Sequence, residues 1–245
     1  MLIAFLISLF FAGEPDQFII PKLEKYCNRH LEESSQDLLI PEVETFKEAA
    51  KNITKANQKN SKKFKKERLK QDLKEAQFEN FINEYIDQYE YMDSLSMKSR
   101  QLFKQELSKE QWNEALDGVD KQINKHKKNF IKTSKKLNKK IHSLKDKAQR
   151  KIDNNGMNAK ALEIIREFEL NLTSTLDIYE SDYYDLLIYL KDYDADFNTI
   201  LAKRKKIIEL RYDFYNHFRK AYFDLNKTLT PDEWKMIQKH FNSLF

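Results

Sequence analysis

Cys27 and His30 lie one helical turn apart, with Glu24 and Glu33 in the flanking turns, and all four carry side chains that can bind a transition metal. A closed site needs four ligands converging on one point, and a single helix face offers two of these at best. A half-buried cysteine beside a hydrogen-bonding histidine fits the spacing better than a metal centre does. His217 and His240 would form a second pair if a C-terminal helix folded back antiparallel, and His126 falls on an apolar stripe. Both fit packing and hydrogen-bonding roles more simply than ligation. No phosphate loop, dinucleotide fingerprint, nucleophile elbow or zinc-binding spacing occurs, and 3 Gly leave few backbone amides to cradle a phosphate. The reading is a non-enzymatic protein with no catalytic residue, no metal and no cofactor.

The elements that would position any site are long helices. Leu107-Ser108-Lys109-Glu110-Gln111-Trp112 is echoed by Leu229-Thr230-Pro231-Asp232-Glu233-Trp234. In each copy a hydroxyl residue precedes Gln or Glu by three, the spacing of a capping box, in which the two residues satisfy each other's backbone amides. Pro231 adds a first-turn proline whose missing N–H is no loss there. Each copy is read as a helix corner pinned by its Trp. Between the corners, apolar residues recur every three or four positions. One pattern runs from Pro41 through Phe46, Phe78 and Tyr89 to Phe103, after a short helix over about 16–39 that Pro21 interrupts. A second runs from Trp112 through Phe130, Leu137 and Leu144 to Ile152, and Asn154-Asn155-Gly156 ends it. A third runs from Leu172 to Tyr222 at near-heptad spacing, with Arg204 and Arg211 as polar exceptions.

The expected fold is therefore all-α. It is an elongated antiparallel bundle of three long helices with short N-terminal and C-terminal helices and coiled-coil-like packing. Residues 14–245 form one domain. Only 3 Gly and 4 Pro in 245 residues leave little material for tight turns, and the single cysteine excludes an intrachain disulfide. A long thin bundle buries little area per residue, so dimerisation is expected.

Residues 1–13 begin with an uninterrupted apolar run, Leu2 to Ala12. It resembles the hydrophobic region of a secretory signal and is too short to span a bilayer. Export to a periplasmic or secreted location is the expectation; the alternatives are a buried N-terminal helix or an uncleaved anchor, and a cytoplasmic location.

Charge is distributed in blocks. The net charge of +5 hides 13 basic residues against one acid over 121–151, and seven acids against one base over 177–196. Folding the second pattern back on the third places residues near Lys125 beside those near Asp185, so the two blocks are expected to neutralise each other. A second basic stretch spans 55–70, with eight basic residues and one acid. Tyr179, Tyr183, Tyr189, Tyr193, Tyr212, Tyr215, Phe218 and Tyr222 cover more than one helix face. They fill a wide core or form a dimer or client-binding surface.

The corner motifs resemble the paired Leu-Thr-x-x-Gln signatures of the Spy/CpxP-like periplasmic proteins, with Ser108 in place of Thr in the first copy and Glu233 in place of Gln in the second. That resemblance implies a bent helical dimer that shields unfolded proteins in the envelope, and it carries over only the corner positions. The leading expectation is an exported helical binding protein with a chaperone-like or envelope-stress role. Its partners would be a second copy and unfolded clients. The rival is a membrane-surface scaffold similar in outline to the BAR domains, drawn to anionic lipid by the two basic stretches. A structural coiled-coil spacer is a third class. Nucleic acid is the least favoured partner, because no reading module accompanies the basic runs.

Overall fold

The computed structural model describes residues 16–68, 73–151 and 157–244. Among them every regular element is an α-helix and no strand occurs. In chain order the helices are α1 (Asp16–His30), α2 (Glu33–Arg68), α3 (Glu75–Glu106), α4 (Lys109–Ala115), α5 (Val119–Lys151), α6 (Met157–Lys191), α7 (Phe197–Thr228) and α8 (Pro231–Leu244). The hydrophobic segment 1–13 lies outside the described residues. No described helix is long and apolar enough to cross a membrane.

Five helices, α2, α3, α5, α6 and α7, are 32 to 36 residues long, which makes each about 50 Å. This corrects the expectation of three long helices. The third pattern breaks over 192–196, because the aspartates there offer the backbone a non-helical alternative. Asp194 N–H donates to Asp192 Oδ1 at 3.0 Å, and the Asp196 carboxylate accepts from Thr199 N–H at 2.8 Å and caps α7. The apolar spacing continues across this reversal, so periodicity alone does not register it. The first pattern is likewise split between α2 and α3. Proline does not start α2, which begins at Glu33 and carries Pro41 inside it, just as α1 carries Pro21. Burial of Leu39 and Val43 on either side of Pro41 offsets the lost backbone bond. The second pattern breaks after α4, where Gly118 takes a φ of +69°, a left-handed conformation that glycine adopts without strain.

Long helices that are consecutive or adjacent run antiparallel, in the lateral order α2, α3, α7, α6, α5. Cross-links fix the registers. Lys98 meets Glu42 at 2.6 Å and the Tyr85 hydroxyl donates to the Asn57 carbonyl at 3.2 Å, so α3 folds back on α2. Phe78 stacks on Phe218 while Arg211 lies over Tyr89, so α7 runs opposite to α3. His126 faces Tyr183 and Phe130 stacks on Tyr179, which pairs α5 with α6 within a residue or two of the expected register. Short helices close the two ends. At one end α1 packs against α2, α3, α4, α5 and α6, and at the other α8 packs against α5 and α7.

Both corner motifs have the same bonding. Leu107 N–H donates to Phe103 O at 2.9 Å, and Leu229 N–H to Leu225 O at 3.0 Å. Ser108 N–H donates to Gln111 Oε1 at 2.9 Å, and Gln111 N–H returns to Ser108 Oγ at 3.3 Å. Thr230 N–H donates to Glu233 Oε2 at 2.9 Å, and Glu233 N–H returns to Thr230 Oγ1 at 3.4 Å. Each box is reciprocal and satisfies amides that the first helical turn cannot. The two tryptophans are fully buried. Trp112 Nε1–H donates to the Lys191 carbonyl at 2.7 Å, with Arg100 stacked 4.8 Å above the indole. Trp234 meets Tyr222 edge to face at 4.9 Å.

Candidate functional site

The groups with metal-binding chemistry do not converge. Cys27 is buried, and burial pushes its thiol up to about 12, so it is a neutral core residue at physiological pH. His30 stacks on Tyr26 at 4.4 Å, and Glu24 holds Lys47 at 2.5 Å. Among the described residues no group of three or more His, Cys, Asp or Glu could hold a metal ion. His217 is half-buried on α7, whereas the side chain of His240 lies outside the described set. His126 packs edge on to Phe18 and tilts against Tyr183, as a seam residue does.

Most of the aromatic set belongs to the interior. Tyr179, Tyr183, Tyr215, Phe218 and Tyr222 are all buried within the chain, so they cannot form a surface for a second copy. Burial disfavours ionisation of Tyr215 and raises its hydroxyl pKa. Tyr193 is half-buried and its hydroxyl closes the turn after α6, 3.2 Å from the carbonyls of Lys104 and Leu107. Only Tyr189, beneath the Lys203 ammonium at 4.6 Å, and Tyr212 are exposed.

One stretch of accessible apolar surface lies between α3 and α7. A groove of about 520 Å³ runs there, with Met97 on one wall and Phe197, Leu201 and Ile208 on the other. Phe197 and Leu201 are 39% and 48% exposed, and Tyr212 continues their line along α7 at 42%. The spacing 197, 201, 208, 212 puts the four on one face. Glu90, Lys98 and Lys205 stand around the groove, and at its floor Arg204 holds the Asp93 carboxylate.

Physical causes for this groove are legible on α7. Ile200 and Ile207 are buried, whereas of the residues that follow them Leu201 is exposed and Ile208 is half-buried at the groove. Two apolar doublets one heptad apart widen the apolar arc by about 100° beyond what a single seam can cover. Those doublets were the available signal, and reading the stripe as one line of residues passes over it.

The acidic block of α6 does not neutralise α5. Asp182 pairs with Lys206 at 2.8 Å and Asp185 with Lys203 at 3.4 Å, both on α7, while Asp194 pairs with Lys109. The charged contacts from α5 to the α6 side include Lys145 and His142, each 3.7 Å from Glu169, Asp120 with Lys191 at 2.6 Å, and Lys127 over Tyr184. The correction has a geometric cause. Asp182 and Asp185 of α6 project towards its other neighbour, and antiparallel register alone does not decide which flank a side chain occupies.

No protein-family model, curated protein or solved structure matches the chain.

Proposed function

We propose that this chain is an exported, non-enzymatic helical binding protein that holds apolar segments of other proteins, in a chaperone-like or envelope-stress role. The observation that carries the reading is the groove between α3 and α7, where Phe197, Leu201 and Ile208 face Met97 across about 520 Å³. A groove with apolar walls and charges of both signs at its rim accepts an amphipathic helix or an extended apolar segment through side-chain burial alone. It needs no cofactor and no catalytic group. Export follows from the apolar segment 1–13, and a periplasmic or secreted location agrees with the corner motifs that resemble the Spy/CpxP-like proteins. Dimerisation, with coiled-coil-like packing of the long helices, belongs to the same proposal, and Tyr189 and Tyr212, exposed among the eight aromatic residues singled out in the sequence, are available to serve it.

The test is light scattering from a thermally unfolding client protein with and without this chain. The wild type suppresses aggregation, and Phe197→Asp combined with Leu201→Asp removes the suppression with little change in melting temperature, because both side chains line the open groove and are exposed. Unimpeded client aggregation in the presence of the wild type would sink the reading. The mass of the protein isolated from its native host tests export separately, with loss of the first 12 or 13 residues as the expected result.

A further inference from the structure

The geometry points to an anionic lipid bilayer as the partner of α5. Lys121, Lys125, Lys128, Lys132, Lys135 and Lys139 follow one another at intervals of four, three, four, three and four residues, so they share one helix face. All six are exposed. At 1.5 Å per residue the row is about 27 Å long. It lies opposite Phe130, Leu137, Ile141 and Leu144, the residues that α5 buries against the bundle. Since α5 is the last of the laterally ordered helices, this row is the outermost line of the molecule's edge.

None of the six makes an ion pair with a described residue. Several of the nearby acids are committed elsewhere or lie at the ends of the row. Glu169 serves Lys145 and His142, Asp182 and Asp185 serve α7, and Asp120 serves Lys191. Asp146 is half-buried beyond Lys139. Like charges at this spacing repel one another along a helix, and no ion pair among the described residues relieves the repulsion. An external anionic surface does.

The form of the row selects among anions. It is straight, so a flat surface meets every lysine at once, whereas each strand of a nucleic-acid duplex winds away from a straight line within a turn. It contains no aromatic residue on which an unpaired base could stack and no arginine for bidentate phosphate recognition. Laterally mobile anionic headgroups can gather under each ammonium, and this attraction needs no sequence and no insertion. With no apolar side chain in the row, α5 adsorbs without entering the hydrocarbon, so binding depends on salt. This surface is separate from the groove between α3 and α7 and does not depend on its role.

The experiment is co-sedimentation of the full chain with phosphatidylcholine vesicles, with and without phosphatidylglycerol. Binding is expected only with the anionic lipid and weakens as salt is raised. Glutamine at Lys125, Lys128, Lys132 and Lys135 together lowers the affinity on the order of a thousandfold, with helicity and melting temperature retained. Arginine at the same four positions keeps the binding, which separates loss of charge from loss of fold. The proposal is overturned if the wild type does not sediment with phosphatidylglycerol vesicles, if the glutamine variant binds as well as the wild type, or if duplex DNA is bound at lower concentration than the vesicles.

Discussion

Arg204 on α7, almost completely buried, donates to the carboxylate of Asp93 on α3 and to Ser96 Oγ on the same helix, the latter at 2.7 Å. One turn pair further along, Arg211 stacks 3.7 Å above the Tyr89 ring and donates to the Tyr179 hydroxyl at 3.0 Å. The two charges that interrupt the apolar seam of α7 are thus answered from both neighbouring helices.

Removing one partner of such a pair leaves a charge without compensation in a low-dielectric site, which costs about 3 to 5 kcal/mol. Asp93→Ala is therefore expected to lower the urea midpoint strongly. Replacing both partners, as Asp93→Leu with Arg204→Met, restores most of the stability, since it removes the stranded charge as well as the pair. If the double variant is no more stable than Asp93→Ala, the pair contributes more than mutual neutralisation.

The corner tryptophans predict a contrast. Truncating either to alanine is expected to cost about 3 to 5 kcal/mol, because both rings are buried. Phenylalanine separates them. At Trp112 it removes the donor to Lys191 O, 2.7 Å away, and strips the carbonyl of its partner, which costs about 1 to 3 kcal/mol beyond the change in ring size. Trp234 Nε1 is buried with no hydrogen-bond partner among the described residues, so Trp234→Phe removes an unsatisfied donor and is the milder substitution. Equal shifts in chemical denaturation for the two phenylalanine variants would contradict this assignment.

What the sequence revealed of this fold was what local chemistry decides. The corner residues Ser108, Gln111, Thr230 and Glu233 bond within three positions of one another, and the α5–α6 register followed from helix length and turn position. The chain reversal at 192–196 escaped a reading by period because the apolar spacing carries across it, although Asp196 was present as a helix cap. The groove escaped for a different reason. Whether Leu201 faces a neighbour or solvent depends on which flank of α7 receives α3, a relation between helices more than a hundred residues apart. The same gap misdirected the acidic block, whose side chains reach α7 and leave the lysine row of α5 unanswered.

Gly118 isolates a purely conformational contribution. Its φ of +69° lies in the left-handed region, and a Cβ there would meet only Lys22 Nζ at 3.8 Å, an ordinary contact. Steric crowding is therefore absent, and Gly118→Ala is expected to cost about 1 to 2 kcal/mol from backbone strain alone. Gly118→Asn recovers part of that loss, since asparagine tolerates this conformation better. Thermal unfolding of the three proteins decides the matter, with an unchanged alanine variant as the contrary result.

His217 supplies the pH dependence. Burial among the residues of α6 and α7 lowers its pKa from the ordinary histidine value, and Lys220 adds to that, while Asp213 and Glu167 oppose it. A histidine with a depressed folded pKa binds its proton more readily in the unfolded chain, so acid favours unfolding. Its contribution is fully present above the ordinary value of about 6.5 and is lost as pH falls from there through the lowered folded value. In His217→Gln this titration is absent. The variant is therefore expected to lose less stability than the wild type between about pH 7 and pH 5, measured as urea midpoints at each pH. Since the acidic neighbours remain in both proteins, the difference between the two curves isolates the imidazole. Parallel curves would mean that the ring is solvated as well in the bundle as in the unfolded chain.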